Sequence, residues 1–425
     1  MDMTVRHAPR LAASPRLWHK VKVERGEGLK RSAHRVFSSA ILPAALISSA
    51  ALTACPEPKP SGGPDAKVPS PPATSAIDTT PKPPPTSAAS APPPPASGTR
   101  TVVAERKVDD TWGKMIVAGG RVYVVTEVTK WTSGPMYVPA SRLWSAPITG
   151  GALQGHLELE GLASLAADDS GVYVAVNRDL STMGTPRASA PTGRIFRLPL
   201  GGGAPVDLAK GITPSAFAVD GDTIWFDAFK MSKDGKGAPA PTGAKGAIAF
   251  AFDDENVYFS SGKGGDAPVK PGNKNGRVLR MKKSGGAPVV VATGLPDEPS
   301  GLAVDGTHVY VAAMAYGSEA LENAGVIARV PKQGGELEVL ASDQPLLRAA
   351  WLSGDHLYVR SGRPGRPGSI RRIAKSGGKV ETVLEDPVLN QATMDNTSIY
   401  FSSDGAFRAD THERTAPAII VRYVK

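Results

Sequence analysis

A repeated strand–turn–strand unit runs through the chain after Arg100 and constrains its fold more than any other feature. Each copy has an apolar strand, a polar turn and a second strand with an aromatic residue, as in AVDGTHVYV (303–311). Turns of Asp, Asn and Gly between such strands predict β-hairpins. The seven aromatic residues are 42 to 52 residues apart, except for one gap of 33: Tyr123, Tyr173, Trp225, Tyr258, Tyr310, Tyr358 and Tyr400. Their regular spacing indicates core packing between repeats.

A second hairpin follows most copies of this unit. It is a strand that runs into a Gly-Gly turn, as in GRVLRMKKSGG (276–286), and a short strand such as APVVVA (287–292) comes next. The two hairpins together give four antiparallel strands in about 50 residues, which is the size of a propeller blade. The sequence therefore predicts an all-β fold, a seven-bladed β-propeller over residues 101–425.

The third blade and the last blade depart from this pattern. The Gly-Gly hairpin is absent between Trp225 and Tyr258, so we expect a reduced third blade of two strands. Six blades with an inserted hairpin are the alternative. The last unit ends on its third strand, AIIVRYVK (418–425), while RTVVAER (100–106) resembles a fourth strand. We expect this N-terminal strand to complete the last blade and close the ring, because closure removes an exposed sheet edge.

Cys55 is the only cysteine in the chain, so the fold holds no intramolecular disulfide. Basic residues precede an apolar run, 36–54, that has the composition of a secretory signal. The run ends Leu52-Thr53-Ala54-Cys55, which resembles the lipobox of bacterial lipoproteins. This resemblance implies that residues 1–54 are a cleaved signal peptide and that acyl chains (diacylglyceryl, palmitate) modify Cys55. A single transmembrane helix is less favoured, because the run is rich in Ser and Ala and contains Pro43.

Residues 55–100 comprise this cysteine and a Pro-rich segment with almost no large apolar side chain. Such a composition cannot bury enough surface to offset the entropy of ordering, and its prolines favour an extended spacer. We expect a disordered tether between a membrane anchor and the propeller. The expected location is the cell envelope, with the outer membrane favoured over the inner.

The net charge of +9 belongs mostly to the leader. Nine Lys or Arg against three acids precede Cys55, and only +2 remains for the residues after Arg100. A nucleic-acid-binding domain needs a basic patch on its folded surface. We therefore expect no nucleic-acid partner, and instead the membrane and either an envelope protein or an extracellular ligand.

The repeats resemble the propellers of streptogramin lyases, senescence-marker lactonases and NHL-repeat proteins. The strings PSGLAVDGTHVYVA (299–312) and GVIARVPKQGGELEVLA (325–341) carry this resemblance. It is strongest to exported bacterial lipoproteins whose propellers have no assigned activity. Since propellers host many unrelated activities, the resemblance predicts the fold more than the function.

Aligning the repeats on their aromatic residues places polar side chains at one mouth of the central channel. The candidate ligand-binding residues there are Lys114, Arg348, Asn390 and Gln391. A lactonase-type calcium site would need several carboxylates in this ring, and the two aligned positions contain none. Six acids lie further from the channel, and we expect them to be solvated loop charges: Asp109, Asp110, Asp297, Glu298, Asp343 and Asp386.

No residue pattern in the chain predicts a catalytic centre, a metal site or a cofactor. The sequence therefore favours a binding or scaffold module without enzymatic activity. The alternative is a metal-dependent lactonase- or lyase-like enzyme that uses the outer acids. A purely structural envelope protein without a small-molecule partner is a third hypothesis.

Overall fold

The computed structural model describes residues 98–106, 111–131, 137–177, 193–200, 202–262, 274–315, 323–362, 367–404 and 416–425. These residues form seven four-stranded antiparallel sheets arranged as the blades of a ring. The prediction of a seven-bladed β-propeller is confirmed. No described segment forms a helix with the length and apolar character needed to cross a bilayer. The proposed signal peptide, Cys55 and residues 56–97 of the Pro-rich tether lie outside the described residues. The last residues of the predicted tether belong to the propeller, since the Gly98 N–H donates to the Tyr423 hydroxyl at 3.0 Å and Arg100 begins a strand.

Each blade is a meander of strands that runs outward from the channel. Blades 1 to 3 contain β2 (Thr111–Ala118), β3 (Arg121–Trp131), β4 (Tyr137–Pro147), β5 (Gln154–Glu160); β6 (Leu162–Asp168), β7 (Gly171–Asn177), β8 (Gly193–Leu198), β9 (Val206–Ile212); β10 (Phe217–Asp220), β11 (Thr223–Phe226), β12 (Phe229–Ser232) and β13 (Ala240–Pro241). Blades 4 and 5 contain β14 (Ala247–Phe252), β15 (Asn256–Ser261), β16 (Gly276–Lys282), β17 (Val289–Leu295); β18 (Glu298–Val304), β19 (His308–Met314), β20 (Gly325–Pro331) and β21 (Glu338–Gln344). Blades 6 and 7 contain β22 (Leu347–Ser353), β23 (His356–Ser361), β24 (Gly368–Ala374), β25 (Glu381–Asp386); β26 (Leu389–Met394), β27 (Ser398–Ser403), β28 (Ala418–Val424) and β1 (Arg100–Arg106).

The third blade is reduced in length and not in strand number. Strands β10, β11 and β12 have four residues each and β13 has two. The expectation of a two-stranded blade is therefore wrong. The short hairpin between Phe229 and Pro241 pairs over only two positions, and without a Gly-Gly turn it carries little sequence signal.

Strand β1 completes the seventh blade, as predicted. It pairs antiparallel with β28, from Arg100 opposite Tyr423 to Arg106 opposite Ala418. At the same junction, the indole Nε1 of Trp112 in blade 1 donates to the carbonyl of Ser403 in blade 7 at 3.2 Å. The two ends of the domain are thus held within one sheet, which leaves no unpaired strand at the closure.

The core consists of seven apolar clusters, one at each junction between blades. In each junction the aromatic residue of one second strand packs against the next blade; Tyr258, for example, contacts the cluster around Val309 and Val311. The seven aromatics are at most 5% exposed. Their interpretation as core packing between blades is confirmed.

One end of the ring carries the tight turns between first and second strands, and we call this end the turn face. There an aspartate of one blade binds a lysine of the following blade at four successive junctions. These pairs, which we call the Asp–Lys ladder, are Asp168–Lys233 at 2.8 Å, Asp220–Lys283 at 2.6 Å, Asp253–Lys332 at 2.6 Å and Asp305–Lys375 at 3.3 Å.

Three ladder aspartates, Asp168, Asp253 and Asp305, also accept backbone N–H groups of their own turns. One carboxylate oxygen of Asp253 accepts the backbone N–H groups of Glu255 and Asn256, and the other accepts the Tyr258 hydroxyl at 2.9 Å. Burial opposes ionisation, yet the hydrogen bonds from Lys332 and the backbone hold the pKa of Asp253 well below its usual range. Asp253 thus caps its own hairpin and also links two adjacent blades.

Candidate functional site

The opposite end of the ring, where first strands begin and second strands end, is the mouth face. At this end five first strands gain a residue relative to their partners, which makes a β-bulge. The register shifts lie between Trp112 and Met115, Ala247 and Ala249, Glu298 and Gly301, Leu347 and Ala349, and Leu389 and Ala392. Bulges redirect side chains and are frequent beside binding sites.

All four predicted ligand-binding residues fall within these bulges. Lys114 lies in the bulge of blade 1, Arg348 in that of blade 6, and Asn390 and Gln391 in that of blade 7. The alignment of repeats therefore located structurally equivalent positions. It could not predict the bulges themselves, because a bulge changes register without changing the aromatic spacing.

Lys114 and Arg348 approach a third cation, Arg360, which lies on the second strand of blade 6. Burial is the main cause that lowers the pKa of Lys114, and the charges of Arg360 and Arg348 lower it further. The Lys114 side chain is nevertheless open to solvent. Both properties are expected of a side chain that projects into a channel, where protein surrounds it and water still reaches it. We call Lys114, Arg348 and Arg360 the mouth trio.

Arg360 is the most deeply placed member of the trio, at 6% exposure. Its guanidinium donates to the backbone carbonyl of Asn390. Among the residues that the structure describes, no carboxylate lies within ion-pair distance of it. Burial and the charge of Arg348 lower the pKa of Arg360 to about 9, which leaves it charged at neutral pH. A buried cation without a carboxylate partner is an unfavourable arrangement.

Asn390 holds this wall of the channel in place. Its side-chain amide is 1% exposed and donates to Asp404 at 2.9 Å. The other carboxylate oxygen of Asp404 accepts the backbone N–H of Trp112 in blade 1 at 3.4 Å. The Gln391 amide in turn donates to the Asn390 side-chain oxygen at 3.3 Å. A continuous set of hydrogen bonds thus joins blades 6, 7 and 1 beneath the trio, with Gln391 nearer the solvent.

Two glutamates accompany the trio without neutralising it. Burial raises the pKa of Glu127, and the nearby charge of Lys114 partly offsets this effect. Burial likewise raises the pKa of Glu298, against the charge of Arg348. Arg348 and Glu298 form a loose pair at 3.5 Å. Glu298 Oε2 and Arg348 Nε are buried, and neither has a hydrogen-bond partner among the described residues.

A close approach between two first strands positions this pair. A Cβ on Gly301 would lie 2.8 Å from the backbone of Ala349 and Ala350. Glycine is therefore needed where the first strand of blade 5 meets that of blade 6. This contact brings Glu298 and Arg348 side by side at the channel mouth.

The interpretation of the outer acids as solvated loop charges is wrong for several of them. Glu298 is the pair partner of Arg348, and Asp297 is buried and accepts the Asn275 amide at 3.0 Å. Asp386 accepts the Ser403 hydroxyl at 3.0 Å, whereas Asp343 is exposed. Asp109 and Asp110 lie outside the described residues. Within the described part of the chain, no three His, Cys, Asp or Glu side chains meet in a group that could hold a metal.

Sequence reasoning missed Arg360 and Glu127. A signal for Arg360 existed, since the position two residues after each repeat aromatic is small or apolar in five repeats and charged in two. The residues at this position are Val125, Ala175, Asp227, Ser260, Ala312, Arg360 and Ser402. Asp227 binds the backbone N–H groups of Ser215 and Ala216 within its own blade. Of the two charged residues at this position, Arg360 is the one whose charge acts on other cations, Lys114 and Arg348.

A cavity of about 380 Å³ lies away from the trio, on the mouth side of blade 6, and is lined by Ser361, Ser369, Arg371, Glu385 and Asp386 among other described residues. Within it Arg371 donates to Ser369 Oγ at 3.1 Å and to the Gln344 side chain at 3.3 Å. Another cavity, of about 300 Å³, lies on the outer strands of blade 1 beside Trp144 and His156.

No protein-family model matches this chain, and no curated protein matches it. Similar solved structures are β-propellers. The propeller domain of the Trilobed protease from Pyrococcus furiosus is 7% identical, with a TM-score of 0.47 over 74% of this chain and 95% of that one. The Neurospora crassa Pan2 WD40 domain is 8% identical, with a TM-score of 0.47 over 76% and 95%. TolB from Acinetobacter baumannii is 14% identical, with a TM-score of 0.34 over 71% and 80%. At such identities the likeness concerns the fold alone.

Proposed function

We propose that this chain is a lipid-anchored binding module of the cell envelope that takes its ligand at the mouth of the propeller channel. The mouth trio is the observation that carries the binding role. Three cations from two blades lie at this mouth: Lys114 and Arg348 in β-bulges and Arg360 at a buried position. Among the described residues, no carboxylate forms an ion pair with Lys114 or Arg360, and the charges of the three cations act on one another. Charges that raise the energy of the folded state are typical of binding and catalytic sites.

The lipid anchor is supported by the sequence Leu52-Thr53-Ala54-Cys55 and by the Pro-rich segment after it. Metabolic labelling with a radioactive fatty acid, in a bacterium that processes lipoproteins, tests the anchor. We expect the full chain to be labelled and to sediment with membranes. Cys55→Ser should lose the label and remain at precursor length. Equal labelling of both proteins would contradict the anchor.

A thermal-shift screen of the full chain against sugars, lactones, peptides, small organic acids and divalent ions tests the binding role. We expect at least one class to raise the melting temperature. The rise should disappear when Lys114 and Arg348 are both changed to Gln. The matched control is Asp254→Ala, an exposed turn-face residue, which should keep the full response. A rise that persists in the double variant would place the ligand elsewhere, and no rise with any class would favour a structural role.

A further inference from the structure

The mouth trio is under-neutralised by the acids beside it. The charge of Glu127 acts on Lys114, and Glu298 and Arg348 act on each other. Glu298 reaches Arg348 only at 3.5 Å, and burial raises the pKa of both glutamates. A further carboxylate, Asp404, accepts the Asn390 amide and the Trp112 backbone N–H, and Asn390 separates it from Arg360 in this set of hydrogen bonds.

This excess charge determines which ligands the mouth favours. Three cations repel a divalent metal ion and attract an anion, more strongly where protein displaces water. A guanidinium and an ammonium also offer several N–H donors to the same oxygen atoms. Gln391, next to the trio in blade 7, offers an amide donor that bonds only weakly to Asn390 at 3.3 Å.

We propose that the mouth trio binds one oxyanion group of the ligand, a carboxylate or a phosphate, with Arg360 at the base of the site and Lys114 and Arg348 on its walls. This inference rests on the proposed binding role and names the class of its ligand. The bound anion supplies a negatively charged partner for Arg360, whose described acceptor is a backbone carbonyl, and an acceptor for the unpartnered Nε of Arg348. It also reduces the repulsion within the trio.

Calorimetric titration of the full chain with succinate and with inorganic phosphate, at constant ionic strength set by sodium chloride, tests the proposal. We expect saturable binding of one anion per chain. Saturation by succinate alone would identify a carboxylate ligand, and competition by phosphate would extend the site to both oxyanions. Lys114→Gln and Arg348→Gln should each weaken binding by at least about tenfold, as expected for a lost charge partner.

Arg371→Gln is the matched control, because it removes a partly buried guanidinium from the same blade outside the trio. The affinity of this variant for the anion should stay within about twofold of the native value, as is usual for substitutions outside a binding site. Replacing Arg360 risks misfolding, since this residue bonds the blade 7 backbone. Lys114→Gln is the safer variant, because the Lys114 side chain is exposed and donates no hydrogen bond to any described residue.

A proton-linked readout distinguishes binding at Lys114 from general charge attraction. A bound anion beside Lys114 raises its lowered pKa, so binding takes up protons as the pH approaches that value. Titrations in two buffers with different ionisation enthalpies should show this uptake in the native chain and not in Lys114→Gln.

Three results would overturn the inference: no anion binding below about 10 mM, unchanged binding in Lys114→Gln, or equal weakening in Arg371→Gln. The proposed function has a separate failure. If a neutral sugar or lactone binds and the Lys114/Arg348 double variant abolishes it, the binding role stands and the anion assignment fails. If nothing binds at the mouth, both fail.

Discussion

At the turn face, four aspartates each meet a lysine of the next blade within 3.3 Å. At the mouth face, Lys114 and Arg360 meet no carboxylate at such a distance among the described residues, and Arg348 meets Glu298 at 3.5 Å. At the turn face the same aspartate–lysine pair recurs from blade to blade, and these pairs stabilise the ring. The mouth face breaks the repeat in blades 1, 6 and 7, and its charges oppose one another. The charges at the turn face therefore lower the free energy of the folded state, and those at the mouth face raise it, which is the basis of the proposed binding role.

The largest effect should come from removing a ladder aspartate. Asp253→Ala deletes the acceptor of Lys332, Tyr258 and two backbone N–H groups, so the free energy of unfolding should fall by about 2 to 3 kcal/mol. Denaturant unfolding measures this change. Asp254→Ala, in the same turn and exposed, should stay within about 0.5 kcal/mol of native. Equal losses in the two variants would show that the contacts of Asp253 in the Asp–Lys ladder do not stabilise the ring.

Acidification should have opposite effects on stability at the two faces: it should weaken the contribution of Asp253 at the turn face and favour the folded state at Glu127 on the mouth face. The folded pKa of Asp253 lies below its unfolded value of about 3.9. Its stabilisation is therefore present above that value and is lost as pH falls through the folded pKa. By about pH 2.5 the free energy of unfolding should have lost about 1 to 2 kcal/mol from this group. The folded pKa of Glu127 is raised mainly by burial, so its protonation on acidification favours the folded state.

Stability measured between about pH 6 and pH 2.5 separates the two contributions. Asp253→Asn should flatten the loss of stability on acidification, and Glu127→Gln should steepen it. The same change of slope in both variants would contradict the opposition between the faces.

The sequence predicted the parts of this comparison that repeat. The aromatic spacing identified seven blades, and RTVVAER (100–106) identified the closing strand. Three of the four ladder lysines also recur in the repeat, since Lys283, Lys332 and Lys375 each stand two residues before a Gly-Gly turn. Their partners were not, because an ion pair between blades depends on how neighbouring sheets pack.

The mouth was predicted only in part for the same physical reason. The positions of Lys114 and Arg348 at the mouth were predicted because the alignment of repeats places both at the start of a first strand. Arg360 was missed because it lies on a second strand, where the repeat led us to expect a core residue. The 3.5 Å pair between Glu298 and Arg348 requires the close approach at Gly301, which no single repeat encodes.

A smaller effect, opposite in sign to the loss at Asp253, is expected at Lys114. Lys114→Gln removes repulsion from Arg360 and Arg348 and loses no hydrogen bond to the described residues. After allowance for solvent screening of this exposed side chain, the free energy of unfolding should rise by about 0.5 to 1 kcal/mol. The turn-face control, Lys332→Gln, should lower it because Asp253 loses its partner. A stability loss in Lys114→Gln would mean that its charge supports the fold.

The smallest effect should come from extending the ladder by one junction. In blade 6 the ladder position is Ser353, whose hydroxyl accepts Lys425 Nζ of blade 7 at 2.9 Å. Ser353→Asp places a carboxylate opposite this lysine, as in the four preceding junctions, and should raise the free energy of unfolding by about 0.3 to 0.5 kcal/mol. Ser353→Asn, of equal size and without charge, should give no gain. At about 1 M salt the advantage of Asp over Asn should vanish, because screening weakens a partly exposed pair. If Asp and Asn are equal at low salt, the ladder depends on hydrogen bonding within each turn, and the charge contrast between the two faces is smaller than the pair distances indicate.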